Sequence, residues 1–440
     1  MVNRKDLTNR VIRLLKLDIT TFLTSLAPIL SLYILGGFIN KEIIGVFGFT
    51  YAFQFLWSMF SRGLNHPIFL YAFKDVKNDK NITMSIVFSG CSVFALIELT
   101  AYLLFMFYAQ QYLTILKVPN ELIDICYIYI IYAIAAIGLQ VFDFMIFSFY
   151  EYTGRLEQNN KLGFIYALIR VGGALFYVFL NNVITLSFTA QLCILTLPLT
   201  SFTLAILLKV LYELKQYQIH FTWEFLKAFK YGTRDILKDI LNAVGNFIGT
   251  RNTYLAGTTA GSNGSTAFQY AFITTVTDVQ WDCNHEGGAL VALDVASEPV
   301  KYNHIYQINE KRLTTILKAD IIAGYIVFGI ISILAFFILS IINRFLPITK
   351  YMLLNMTFDL IGMILYTPHY AISSLLNALG AYRELTAIAL ISVLIRILGS
   401  SIESIYAVNT GMLMGVTLNF ILTASLFLYY KHKYKISKEN

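Results

Sequence analysis

Asp278, Asp282, His285, Glu286 and Asp294 crowd into one short stretch of an otherwise mostly apolar chain. Asp278, Asp282 and His285 or Glu286 follow i, i+4, i+7/8 spacing, which puts them on one helix face a turn apart. Carboxylates stacked in this way repel one another when all are ionised, so they titrate as a coupled set. Such a set can hold a proton or a sodium ion and release it on the other side of a barrier. A carboxylate at a bilayer centre costs about 2.5–3.5 kcal/mol, and the usual compensation is a water-filled path for ions or polar solutes. The competing reading is a solvated loop in which the acids are simply hydrated.

Other polar side chains interrupt apolar runs. Asp235 and Asp239 share a helix face with Asn242 and Asn246, and Lys238 and Arg251 lie nearby. The entrance of a helix in the headgroups explains Asp235 equally well, and Asn242 and Asn246 also suit interhelical hydrogen bonding. Asp359 stands alone among Met, Phe, Leu and Ile about half way along its run, where an ionisable group implies function. Toward the N-terminus, Arg62 and His66 share one face, Glu98, Asp143 and Arg170 follow on later runs, and Asp143 is a candidate partner for Arg170. Pro368-His369 marks a candidate kink.

The elements that carry these residues are membrane spans. The 440 residues are 57% hydrophobic and 13% charged, against about a quarter charged in soluble domains. Apolar runs of about 20 residues, each able to cross roughly 30 Å of hydrocarbon, recur from end to end. About twelve are expected, near 17–39, 44–73, 82–108, 123–150, 161–181, 184–210, 231–257, 266–296, 313–343, 349–377, 384–406 and 411–430. No signal peptide is expected, because Met1 to Lys16 is basic without a small-residue cleavage site.

Charge sets the topology. Lys74, Lys77 and Lys80, then Arg155, then Lys215, Lys227 and Lys230, then Lys301, Lys311 and Arg312 occupy alternate loops. By the positive-inside rule these loops and both termini face the cytoplasm. The net charge of +7 is therefore a matter of topology, with no nucleic-acid partner implied. Cys91, Cys126, Cys193 and Cys283 lie in apolar runs without CxxC spacing, which argues against zinc and disulfides. No Walker A, GxSxG, HExxH or dinucleotide-binding glycine motif occurs, so no enzyme and no cofactor is expected.

Two halves are expected, residues 1–211 and 231–440, joined by an amphipathic cytoplasmic linker over 212–230 in which Ile219, Phe221, Trp223, Phe225 and Leu226 interleave with charges. An amphipathic helix is the expected form. The halves repeat. Gly154-Arg155 and Leu168-Ile169-Arg170 with Gly172 and Gly173 match Gly380-Ala381-Tyr382-Arg383 and Leu394-Ile395-Arg396 with Gly399, and Val118-Pro119 matches Leu346-Pro347. Six spans per half give a parallel duplication about an axis along the membrane normal.

Twelve spans, a parallel six-plus-six duplication, short loops and a small-residue turn with a basic residue after the fourth and tenth spans resemble the multidrug and toxic compound extrusion (MATE) family. Its wider superfamily includes lipid-linked oligosaccharide flippases. The resemblance implies an all-α polytopic membrane protein with two six-helix lobes. It also implies acids on the first, second and fourth helices of the C-terminal lobe that bind sodium or protons. Matched helix by helix, these are Asp235 or Asp239, then Asp278, Asp282 or Glu286, then Asp359. The sequence departs from the family at Leu30-Ser31-Leu32-Tyr33, where many prokaryotic members carry an aspartate. It also lacks the proline after both glycine turns.

The expected function is H⁺- or Na⁺-coupled antiport, exporting organic cationic or amphipathic compounds by alternating access, with Arg62, His66, Asn242, Asn246 and His285 lining the substrate cleft. The alternative is a flippase for an anionic lipid-linked oligosaccharide that uses Arg62, Arg170, Arg251 and Arg396 as phosphate contacts. A membrane-embedded enzyme using Asp278, Asp282 and His285 with a metal is a third class. A monomer in the plasma (inner) membrane, in contact with lipids and a small-molecule or lipid-linked substrate, completes the expectation.

Overall fold

The computed structural model describes residues 4–38, 67–69, 71–72, 76, 79–118, 120–138, 146, 149–150, 155–184, 201–202, 204–259, 277–284, 310–342, 350–378 and 381–433. Among these residues every regular element is helical. The helices are α1 (Arg4–Phe38), α2 (Lys80–Met106), α3 (Ala109–Ile115), α4 (Asn120–Gly138), α5 (Leu156–Val183), α6 (Phe229–Thr259), α7 (Glu310–Ile342), α8 (Lys350–Ala378), α9 (Tyr382–Ser400) and α10 (Ala407–Lys433). Residues 204–214 and 277–284 are also helical.

Most spans fall where hydropathy and charge put them. Lys80–Met106, Glu157–Val183, Leu313–Phe337 and Ala407–His432 are each long and apolar enough to cross a bilayer. Most of the span expected at 44–73 and much of those at 184–210 and 266–296 lie outside the described residues. The first helix differs from expectation by starting at Arg4. At about 1.5 Å per residue its 35 residues outrun the hydrocarbon, and its first turns, with the Arg10–Asp6 ion pair, are polar.

The chain divides into two compact units, Ala27–Ala271 and Met1–Leu26 with Phe272–Asn440. In the first, Asp79 caps α2, its Oδ1 accepting from the amides of Asn81 at 2.8 Å and Ile82 at 3.2 Å. The helix then buries Met84, Ile86, Cys91 and Phe94 in a core with Phe149, Tyr150, Phe202 and Phe225. Gly90 makes this approach possible, since a Cβ there would lie 2.7 Å from Ile68 and 3.0 Å from Phe225. A second core joins Tyr102, Leu113 and Leu116 to Cys126 and Ile130, and the Tyr102 hydroxyl donates to the Ile130 carbonyl at 3.1 Å.

The stretch expected as an amphipathic helix takes another form. Helix 204–214 ends, residues 218–222 are non-helical with Thr222 in extended conformation, and Trp223–Ala228 closes a 3₁₀ turn. The amides of Gln218, His220 and Thr222 donate to Asn81 Oδ1, Ser85 Oγ and Ser89 Oγ at 3.2, 3.0 and 3.0 Å. Two residues of extended chain advance about 6.6 Å and four residues of helix about 6.0 Å, so every second amide meets every fourth side chain of α2. The apolar residues Ile219 and Phe221 alternate with these three anchored positions, as in a non-helical strand-like segment.

The second unit packs α7, α8, α9 and α10 with segment 277–284. Gly399, Gly411 and Gly415 bring α9 and α10 together, and a Cβ on Gly411 would lie 2.6 Å from the Arg396 carbonyl. Small residues four apart are the usual device for close helix contact in membranes. Gly324 does the same between α7 and α8, where a Cβ would meet Thr367 Cγ2 at 2.5 Å and Asn284 Oδ1 at 2.8 Å. Pro368 lies inside α8 and has no amide to offer the Ile364 carbonyl one turn back. The Tyr325 hydroxyl on α7 donates to that carbonyl at 3.0 Å.

The repeat has a local structural signature. The Arg155 amide donates to the Tyr150 carbonyl at 2.8 Å, and the Ala381 amide to the Leu376 carbonyl at 3.0 Å. Both residues then start the next helix with similar backbones, φ −91°, ψ 51° and φ −77°, ψ 38°. The offset from 155 to 381 is also that from Arg170 to Arg396.

Candidate functional site

Segment 277–284 is helical, so Asp278 and Asp282 do stand a turn apart on one face, and the loop reading fails for these residues. Asp278 is half-buried and Asp282 buried. Asp282 Oδ2 accepts from the Ser25 hydroxyl of α1 at 2.7 Å. The neighbouring Cys283 thiol points to the Asp18 carbonyl at 4.0 Å, so the N-terminal part of α1 is held along this segment.

Asp359, on α8, is 4% exposed. Its Oδ2 accepts from the Asn409 amide of α10 at 3.4 Å, and the same amide group donates to the Asn355 carbonyl at 3.2 Å. The Asn355 amide in turn donates to the Ile405 carbonyl at 3.4 Å, so α8 and the start of α10 are tied by two side-chain amides. Among the described residues, Asp359 is the one carboxylate on a small cavity lined by Thr277 and Gln280, by Phe328 and Ser332 of α7, and by Met356 and Met363 of α8. Asp278 lies within electrostatic reach of Asp282, Asp359 and Arg396. Asp278 therefore feels two further acids and one arginine, the four groups coming from three elements, in an apolar setting where such interactions are strong.

Next to the cavity, the buried Gln280 amide donates to the Gly324 carbonyl at 3.0 Å and to Thr367 Oγ1 at 3.3 Å, and Asn284 reaches the same Thr367 oxygen at 3.3 Å. Further along α8, His369 Nε2 sits 3.1 Å from the Asn419 amide nitrogen, which makes His369 a hydrogen-bonded helix histidine.

Of the residues singled out by sequence, Asp278, Asp282 and Asp359 come together. Asp235 and Asp239 lie on α6, but their side chains fall outside the description. Asn242 is half-buried and Asn246 buried on the same helix, in the other unit. Arg62, His66, His285 and Glu286 lie outside the described residues, as does Asp143. Arg170 donates from its Nε to the Tyr166 hydroxyl at 3.3 Å, and its guanidinium lies over that ring. The sequence reading missed Ser25, Gln280, Asn284 and Asn409. Gln280 and Asn284 carried a usable signal, being amides four apart on the same span as the acids.

Carboxylates with neutral hydroxyl and amide donors around them can bind a proton or a monovalent cation. Comparison with known proteins bears on the scaffold. No protein-family model matches the chain, and no curated protein matches its sequence. Solved structures do match in fold. The MATE multidrug transporter DinF-BH aligns with TM-score 0.65 and 12% identity, over 99% of this chain and 97% of that one. The Vibrio cholerae MATE transporter VcmN gives 0.62 and 13%, over 99% of both chains. An inward-facing multidrug resistance MATE family transporter of the MOP superfamily gives 0.58 and 14%, over 96% and 94%. The chain is an all-α, multi-pass membrane protein with the twelve-helix, two-lobe fold of the MATE transporters.

Proposed function

We propose that this chain is a divergent MATE-type secondary transporter that couples entry of H⁺ or Na⁺ to export of organic cationic or amphipathic compounds. The observation that carries the reading is the convergence of Asp278, Asp282 and Asp359 in one unit, with Arg396 within electrostatic reach of Asp278. Clustered acids inside a membrane unit are costly unless a cation is there to share them. The fold supports the same reading, because MATE transporters cover essentially the whole chain.

In this mechanism the carboxylates take a cation from outside and surrender it to the cytoplasm. Ser25 and Asn409 hold Asp282 and Asp359 in fixed orientations for that exchange. Substrate and cation drive opposite swings only if each prefers a different state of the protein. Acids also attract cationic substrates, which the flippase alternative does not require. The chain works as a monomer in the plasma (inner) membrane with both termini cytoplasmic, as the alternation of basic loops supports.

Transport in sealed vesicles under an imposed H⁺ or Na⁺ gradient tests the reading. Wild type is expected to move a cationic dye with one gradient, and Asp359→Asn and Asp282→Asn to lose most of that flux. Unchanged gradient-driven flux in both variants would sink it.

A further inference from the structure

Helix α7 carries a second buried carboxylate that the site above leaves unused. Asp320 is 8% exposed and, among the described residues, makes no hydrogen bond or ion pair. An unpaired carboxylate in such a setting costs several kcal/mol when ionised, unless a cation accompanies it. Asp320 lies one helical turn before Gly324, on the face that meets α8 and segment 277–284.

The helix register locates it relative to Asp359. Gly324 lies against Thr367, the Tyr325 hydroxyl reaches the Ile364 carbonyl, and α7 and α8 run antiparallel. From that level Asp320 is four residues, about 6 Å, toward the Lys311–Lys318 end, and Asp359 is eight residues, about 12 Å, the other way. Gln280 bridges the interval. It lines the cavity with Asp359, donates to the Gly324 carbonyl, and keeps its own Oε1 buried without a donor.

The missing partner is identified by what surrounds Asp320. Sodium needs several oxygen ligands, as hard cations do, and no polar side chain bonds this carboxylate. The buried residues one turn from it along α7, Ile316 and Ala323, are apolar. Among the described side chains, the titratable groups on segment 277–284 and α8 are Asp278, Asp282, Cys283, Asp359, Tyr366, His369 and Tyr370, and none of them pairs with it. We infer that Asp320 is a proton-binding site, a second station on the Lys311–Lys318 side of the unit and in series with the Asp359 cavity. A proton taken from water forms the neutral carboxylic acid; its return to water restores the carboxylate. The use of this site in coupling rests on the transporter reading, whereas proton binding does not.

Infrared difference spectra of the purified full chain in lipid, recorded between acidic and alkaline buffer, test this directly. Wild type should show carbonyl bands from buried carboxylic acids, and Asp320→Asn should lose one that Asp359→Asn keeps. Asp320→Glu, which retains an acid if the amide variant does not fold, should shift that band. A band pattern unchanged in both Asp320 variants would overturn the inference. Gradient-driven flux in the same preparations separates the two ideas. An unchanged pattern with flux lost in Asp359→Asn overturns the proton site and spares the transporter reading. A lost band in protein whose wild type shows no gradient-driven flux supports the proton site and sinks the transporter reading.

Discussion

The Tyr325 hydroxyl donates to the Ile364 carbonyl at 3.0 Å, and that carbonyl is the one Pro368 leaves without a helical donor. A proline inside α8 thus acquires its compensation from α7, and the bond fixes how the two helices register beside Asp359. Removing the hydroxyl leaves a carbonyl unsatisfied, which costs about 1–3 kcal/mol. Restoring the amide makes the hydroxyl redundant. Tyr325→Phe is therefore expected to lower the unfolding midpoint in detergent, and to have little effect in a Pro368→Ala background. Equal losses in both backgrounds would show that the bond has no link to the proline.

Ser25 and Asp282 make the closest polar contact at the candidate site, 2.7 Å. Because the hydroxyl orients one carboxylate oxygen, its loss leaves the acid free to rotate and the site less organised. Ser25→Ala is expected to raise the cation concentration for half-maximal flux about tenfold, equivalent to ~1.4 kcal/mol. Ser31→Ala is the control, since Ser31 bonds only its own helix, at the Ala27 carbonyl. The same response from both variants would remove the special role of Ser25.

The glycines give opposite predictions in two helices. Gly411 has no room for a methyl group beside Arg396 and Ser400, whereas a Cβ on Gly172 meets nothing within 4 Å. Gly411→Ala should destabilise by about 1–3 kcal/mol, the usual cost of overpacking. Gly172→Ala should gain about 0.5–1 kcal/mol from helix propensity. Thermal unfolding in detergent reads both, and a stable Gly411→Ala would mean that α9 and α10 are further apart.

The membrane layout was legible because apolar length and basic loops report directly on the bilayer. The acids Asp278, Asp282 and Asp359 were legible for the same reason, each standing out against apolar neighbours. Ser25 was not, since it lies 257 positions from Asp282 and is an ordinary helix residue in isolation. Asp320 lies within the span expected at 313–343 but two residues from Lys318, where a solvated helix entrance explains an acid equally well. In the linker, apolar residues interleaved with charges suggested an amphipathic helix, but residues 218–222 are non-helical. What decides the form is the ladder of acceptors on α2, which local sequence does not reveal.

That ladder makes a prediction of its own. Ser89 is fully buried and accepts from the Thr222 amide, and Ser85 accepts from the His220 amide while donating to the Asn81 carbonyl at 2.7 Å. Each serine lost leaves a backbone amide without its acceptor, a cost of about 1–3 kcal/mol when buried. Phe225, fully buried in the core, would still anchor the far end. The segment from Gln218 to Thr222 should therefore loosen while the unit stays folded. Trypsin reads this directly, because Lys215 and Lys227 flank the segment and both are exposed. Cleavage after these lysines is expected to accelerate in Ser85→Ala/Ser89→Ala and to stay at the wild-type rate in Thr100→Ala, whose hydroxyl bonds only the Leu96 carbonyl of its own helix. Equal cleavage in all three proteins would mean that the side chains of α2 do not hold the linker.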